Sequence, residues 1–126
     1  MASIKKTNEK GTSITILTVS GVLSFEEVIH SLENFFKRDV TKNLLWDFRD
    51  ADLSKITPNN MEQIIKISKS NAHLRENGRT ALVVYQDLSF GLSRMYEILS
   101  ELSEHSIPHC VFRDMGEAIK WLEYNQ

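Results

Sequence analysis

The sequence holds one cysteine, Cys110, among 126 residues. A lone cysteine excludes a disulfide framework or a thiolate metal cage within one chain, and it fits a reducing, cytoplasmic compartment. Proline and glycine are scarce too, at 2 and 5 residues, which leaves no material for a flexible linker or a low-complexity tract. No apolar stretch approaches the ~20 residues that a membrane-spanning helix needs. The start MASIKKTNEKGTS lacks the apolar core of a signal peptide. An excess of one charge is missing as well. Lysine and arginine number 15 against 17 aspartate and glutamate, with the two signs interspersed, so the basic patch of a nucleic-acid binder is not there.

The 41% hydrophobic and 25% charged residues are the ordinary balance of a globular domain. The length suits a single domain spanning 1–126, able to bury about two thirds of the surface its unfolded chain exposes.

Along the chain, strand and helix patterns alternate. Residues 2–7 read as a short strand and SITILTVSG (13–21) as a longer one, joined by a turn in NEKGTS into a hairpin. Ser24 followed by Glu27 has capping-box spacing, and Phe25, Val28, Ile29, Leu32, Phe35 and Phe36 form the apolar face of the helix that follows. NLLWDF (43–48) shows no alternation and reads as a central strand covered on both faces. Thr57-Pro58 opens the next helix, with threonine as N-cap and proline in its first turn. Met61, Ile64, Ile65, Ser68 and Ala72 line its inner side, and Gly78 is expected to end it. TALVVYQ (80–86) is a third buried strand. A helix over 89–105 is expected to turn Leu92, Met95, Leu99 and Leu102 inward. HCVFR (109–113) follows as the last strand, and Asp114 caps a final helix with Met115, Ala118, Ile119 and Leu122 on its apolar face. The order β-β-α-β-α-β-α-β-α predicts an α/β domain. Its five-stranded sheet should be mixed and mostly parallel, with an antiparallel first strand at one edge and helices on both faces.

LLWDFRDADL, TALVVYQDLSFGLSRMYEILSE and VFRDMGEAIKWL resemble the SpoIIAA-like family of the STAS superfamily, whose fold is also similar to the CRAL-TRIO lipid-carrier domain. The resemblance runs from about Thr12 to Leu122 and implies the STAS-type fold. In anti-anti-sigma factors of this superfamily a phosphorylated serine opens the helix after the central strand, in an Asp-Ser motif. Here that region reads DADLSKITPNN. It has no Asp-Ser pair, and Ser54 and Thr57 are the hydroxyls in that place. For the SpoIIAA-like branch the resemblance implies binding of apolar ligands or contact with membranes.

The residues themselves offer three candidate regions. Asp47, Asp50 and Asp52, with Asp87 and Asp114, follow strand ends, where open parallel sheets bind ligands, and form an acidic rim suited to a cation. Aspartate is also the commonest turn former and helix cap, which accounts for the same positions. Ser54 and Thr57 are candidate phosphosites, and a cap at Thr57 needs no switch to explain it. The stretch 88–99 is apolar on more than one side. Leu92, Met95 and Leu99 are expected on its core face, while Phe90, Tyr96 and Ile98 point elsewhere, either to line a pocket, dock a second subunit or rest on a membrane surface, or to pack between the sheet and the last helix. Arg94 and Arg113 are anion anchors or partners of nearby carboxylates. His105 and His109 flank Pro108, which precludes a shared helical face. No metal-ligand spacing, nucleophile motif or phosphate-cradling glycine loop is present, so no cofactor and no catalytic residue is expected.

The leading expectation is a non-enzymatic binding module for an apolar or amphipathic small molecule, a lipid, or a membrane surface, acting through Phe90, Leu92, Met95 and Tyr96. The alternative is a regulatory protein-interaction module switched at Ser54 or Thr57. An enzyme built on the acidic rim ranks third. The spare apolar surface is also compatible with a homodimer.

Overall fold

Strand β3 (Asn43–Asp52) lies at the middle of the sheet, and all of its first six residues are buried. Around it the computed structural model, which describes residues 1–8 and 12–124, places β1 (Ser3–Asn8), β2 (Ile14–Val22), α1 (Phe25–Arg38), α2 (Pro58–Ser70), β4 (Thr80–Val83), α3 (Asp87–Leu102), β5 (His109–Phe112) and α4 (Met115–Glu123). The five strands stand in chain order, β1 antiparallel to β2 and the rest parallel. The first turn, expected in residues 8–13, falls partly outside the described residues.

Chain-order strands have a consequence. Right-handed crossovers between successive neighbours all return over the same face. Helices α1, α2 and α3 therefore share one side, where Leu17, Val19, Leu44, Trp46, Phe48 and Leu82 meet them. Only α4, with no strand after it, covers the other side, over Ile14, Leu45, Ala81 and Val83. Alternation along the strands sorts these two sets. It changes phase once: Thr18 pairs with Asp47 but Ser20 with Asp50, so β3 carries an extra residue there. Phe48 and Ala51 consequently face the same core, whereas residues 43–48 show no alternation because both faces of the strand are buried there.

Asn43 is almost wholly buried and satisfied. Its side-chain amide donates to Ser13 Oγ and to the Leu122 carbonyl, both at 3.2 Å, and its Oδ1 accepts the Arg79 amide at 2.9 Å. Together with the Arg79 guanidinium over the Trp121 ring at 4.8 Å, this ties α4 to the sheet.

The caps form as the sequence predicts. Ser24 with Glu27 makes a capping box, and Thr57 makes one with Asn60, its Oγ1 accepting the Asn60 amide at 3.0 Å. Thr57→Ala should lower stability by about 1 kcal/mol in urea unfolding; no change would mean that Pro58 alone fixes this helix start.

Several boundaries differ from expectation. α2 ends at Ser70 and a 3-10 turn, Ala72–Arg75, follows. The left-handed residue after that turn is Asn77, with φ 64°. Gly78 is not the helix end but a point of close approach: a Cβ there would stand 1.8 Å from the Lys42 carbonyl oxygen. α3 begins at Asp87 and stops at Leu102, and β4 is shorter than the stretch 80–86.

Candidate functional site

Helix α3 carries large apolar residues on both its inner flanks and its outer face. Its buried residues are Ser89, Ser93 and Ser100, while Leu88 is 61% exposed, Met95 39%, Ile98 45% and Leu102 74%. Phe90, Leu92, Tyr96 and Leu99 lie half-buried along the flanks of the core. Met95 and Leu102, expected to turn inward, therefore face solvent. Phe90 and Tyr96, expected to point away, pack against the core. Both stripes repeat at helical spacing, so spacing alone does not say which is inner. The small serines let the helix lie close to β3 and β5, and Glu97 fixes its register by accepting the Val111 amide at 2.8 Å.

Beneath α3, between the sheet and α2, lies a cavity of about 60 Å³. Met61, Ile64, Leu82 and Leu92 line part of it; Arg75, Thr80, Ser93 and His109 line another. No lining residue is exposed. Leu92 and Tyr96, two of the four residues expected to bind a ligand, line this cavity. Phe90 instead lies under the Arg113 guanidinium at 4.3 Å, and Met95 faces solvent. The cavity has less than half of the ~150 Å³ that admits benzene, so a lipid chain does not fit in it.

Sequence reasoning missed the polar lining. Arg75 is 2% exposed. Its Nε donates to the Lys42 carbonyl at 3.2 Å and its Nη2 to the Arg79 carbonyl at 2.8 Å, and its guanidinium lies 5.7 Å from the centre of the Phe35 ring. No described carboxylate pairs with it, and burial lowers its pKa to about 10. The hydroxyls of Thr80 and Ser93 are buried without a hydrogen-bond partner. Burial also holds the Tyr96 phenol above its ordinary range.

Two histidines complete the cluster. Their rings stand 4.9 Å apart, brought together by the turn before β5 rather than by a helix. His105 Nδ1 accepts the Ile107 amide at 3.1 Å, so its Nε2 carries the proton and donates to Ser68 Oγ at 2.7 Å. His109 Nδ1 donates to the Ile107 carbonyl at 2.8 Å. Burial, then the nearby Arg75 and Lys69 charges, push His105 down to about 4. Burial, then the neighbouring His105, push His109 down to about 3. The spacing of the two histidines was the only sequence signal for this cluster; Arg75 gave none.

No protein-family model matches the sequence, and neither does any curated protein sequence. Solved structures do match. One is an uncharacterised protein of the DUF3478 family with a SpoIIAA-like fold, from Shewanella loihica PV-4, with TM-score 0.59 and 15% identity over 96% of this chain and 93% of that one. Another is an anti-sigma factor antagonist from Mycobacterium paratuberculosis, with TM-score 0.55 and 14% identity over 97% of this chain and 94% of that one. The fold is SpoIIAA-like.

Within this SpoIIAA-like fold the C-terminal strand ends do not assemble the expected acidic rim. Asp47 forms a two-pronged ion pair with Arg49, at 2.8 and 2.9 Å, and that hydrogen bonding holds its carboxyl below the usual range against the opposing effect of burial. Asp52 accepts the Ser54 amide, Asp87 pairs with Arg113 at 3.0 Å, and Asp114 caps α4. Asp50 stays exposed. The described residues contain no group of three or more ligands able to hold a metal ion. Arg94 pairs with Glu97. Ser54 and Thr57 are both exposed. Cys110 is half-buried, and burial followed by Glu97 raises its thiol pKa. None of the described helices is long and apolar enough to cross a membrane.

Proposed function

We propose that this protein is a regulatory protein-interaction module that docks a partner helix on the outer face of α3. The observation that carries the reading is a second apolar stripe on α3: Leu88, Met95, Ile98 and Leu102 stay exposed while Phe90, Leu92, Tyr96 and Leu99 pack on the core. Leu88, Gly91, Met95, Ile98 and Leu102 succeed one another by steps of three and four, the spacing of a helix-packing seam. Gly91 sits in that seam with no atom within 4 Å of where its Cβ would stand. The fold has no need of a glycine there, and its cost of about 1 kcal/mol in helix propensity is consistent with close approach of a partner backbone. The fold likeness to an anti-sigma factor antagonist supports a partner that is a protein.

Charge narrows the occupant. α3 carries Asp87, Glu97 and Glu101 against Arg94 alone. An anionic membrane favours lysine and arginine on such a helix, so this face is poorly suited to one. A second copy of this helix would bring three acidic residues and one arginine against the same set, net negative against net negative. An apolar helix flanked by basic residues fits better. Ser54 and Thr57, exposed in the loop after the C-terminal end of β3, are the positions at which phosphorylation would switch such docking; Thr57→Glu and Ser54→Asp should then alter partner affinity.

The test compares wild type with Met95→Asp/Ile98→Asp for proteins retained from the native host, with hydrogen exchange to map the contact. Partner affinity should fall at least about thirtyfold, the equivalent of ~2 kcal/mol, with stability unchanged within about 0.5 kcal/mol. Gly91→Ala should weaken docking while stabilising the free protein by up to about 1 kcal/mol. Exchange protection away from α3, flotation with vesicles, or a dimer dispersed by the double substitution would each overturn the reading.

A further inference from the structure

The cavity on the other side of α3 carries a separate chemistry. Its polar lining combines a buried guanidinium that has no carboxylate partner with two hydroxyls, Thr80 Oγ1 and Ser93 Oγ, that bond nothing. Thr80, Ser93 and Arg75 are each 2% exposed. Buried hydroxyls nearly always have partners, and a buried cation is normally paired, so three unmet demands in one cavity point to an occupant. That occupant should accept hydrogen bonds and bring negative charge. No aspartate or glutamate lines the cavity, so nothing there repels an anion. Met61, Ile64, Leu82 and Leu92 line the remainder; they offer water no hydrogen bonds and suit a methyl group. The size sets the limit: about 60 Å³ exceeds the ~30 Å³ share of one water and falls well short of the ~150 Å³ that takes benzene.

We propose that this cavity binds a monocarboxylate no larger than acetate, its carboxylate held by Arg75, Thr80 and Ser93 and its methyl against Met61, Ile64 and Leu82. Guanidinium is suited to the head group because its planar fork matches a carboxylate. Entry requires a small displacement, because every lining residue is buried or half-buried. Leu92, Tyr96 and His109 are the half-buried ones, which places the entry between α3 and β5.

The probe is sodium acetate, with formate beside it, added to the full chain and followed by amide NMR and thermal unfolding. Saturable shifts at Arg75, Thr80, Ser93 and His109 and a raised midpoint are expected, with ethanol and sodium chloride as inactive controls. Thr80→Val and Ser93→Ala should each weaken acetate binding about tenfold. Both should leave the free protein as stable as before or more stable, since each removes an unpartnered hydroxyl. Arg75→Lys, which keeps the charge and loses the fork, should weaken it further. Met95→Asp/Ile98→Asp should bind acetate unchanged, which separates this site from the partner face. The proposal is overturned if acetate leaves these amides unmoved at millimolar concentration, if ethanol binds as well, or if Thr80→Val and Ser93→Ala bind like wild type.

Discussion

Gly78→Ala is expected to cost more than about 4 kcal/mol, most of the stability of a domain this size, and to yield little folded protein. The added Cβ would stand 1.8 Å from the Lys42 carbonyl oxygen and 2.8 Å from that of Arg75. Both are backbone atoms, so no side chain can turn aside. The Gly78 amide also donates to the Arg75 carbonyl at 2.8 Å, and Lys42 O accepts from Arg75 Nε. Displacing Lys42 therefore disturbs the seat of the buried guanidinium as well. Gly91→Ala, the same chemical change in open space, has the opposite expected sign. Urea unfolding of both variants checks the pair, and a Gly78→Ala protein within about 1 kcal/mol of wild type would show that the loop from Asn77 to Thr80 shifts freely.

Acid should destabilise the protein well above the range where carboxylates titrate. His105 falls from 6.5 to about 4 and His109 from 6.5 to about 3 in the folded chain. Arg75 and Lys69 repel a proton on His105, and His105 and Arg75 repel one on His109. With folded values below the unfolded one, the unfolded chain binds protons that the folded chain refuses. Their contribution is complete above about pH 6.5 and is lost as pH falls toward the folded values. At pH 5 the limit is about 2 kcal/mol for each histidine. Both rings are half-buried, so a combined loss of about 2 to 4 kcal/mol between pH 7 and 5 is expected. Glu27, Asp47 and Asp52, all lowered by hydrogen bonds, add losses only at lower pH. Urea unfolding at stepped pH tests this: His105→Gln/His109→Gln should flatten the slope, and a wild-type slope already flat from pH 7 to 5 would refute it.

Much of this architecture was legible in the sequence. The capping box at Ser24 and the N-cap at Thr57 formed as the sequence implied, because a cap is a contact within four residues; the reciprocal bond from Asn60 was not foreseen. The parallel sheet followed from strands separated by helices, since such strands need a crossover. The acidic rim was not legible as a site, because each aspartate also had a local use, and Asp47, Asp52 and Asp114 took it with Arg49, Ser54 and Glu117.

Local pattern by itself determined which segments are helix and strand and in what order they come. Tertiary structure alone decided which face of α3 turns inward. Ser89, Ser93, Tyr96 and Ser100 repeat as regularly as Leu88, Met95, Ile98 and Leu102, and periodicity is blind to the difference. The contacts that hold the inner face come from β5, distant in the chain: His109 meets the Tyr96 ring at 5.4 Å and the Val111 amide donates to Glu97. Arg75 itself reads as an ordinary surface residue until the carbonyls of Lys42 and Arg79 are brought to its guanidinium. Secondary structure is set by neighbours along the chain, whereas burial is set by whatever folding brings alongside, and this candidate site is made almost wholly of the second kind of contact.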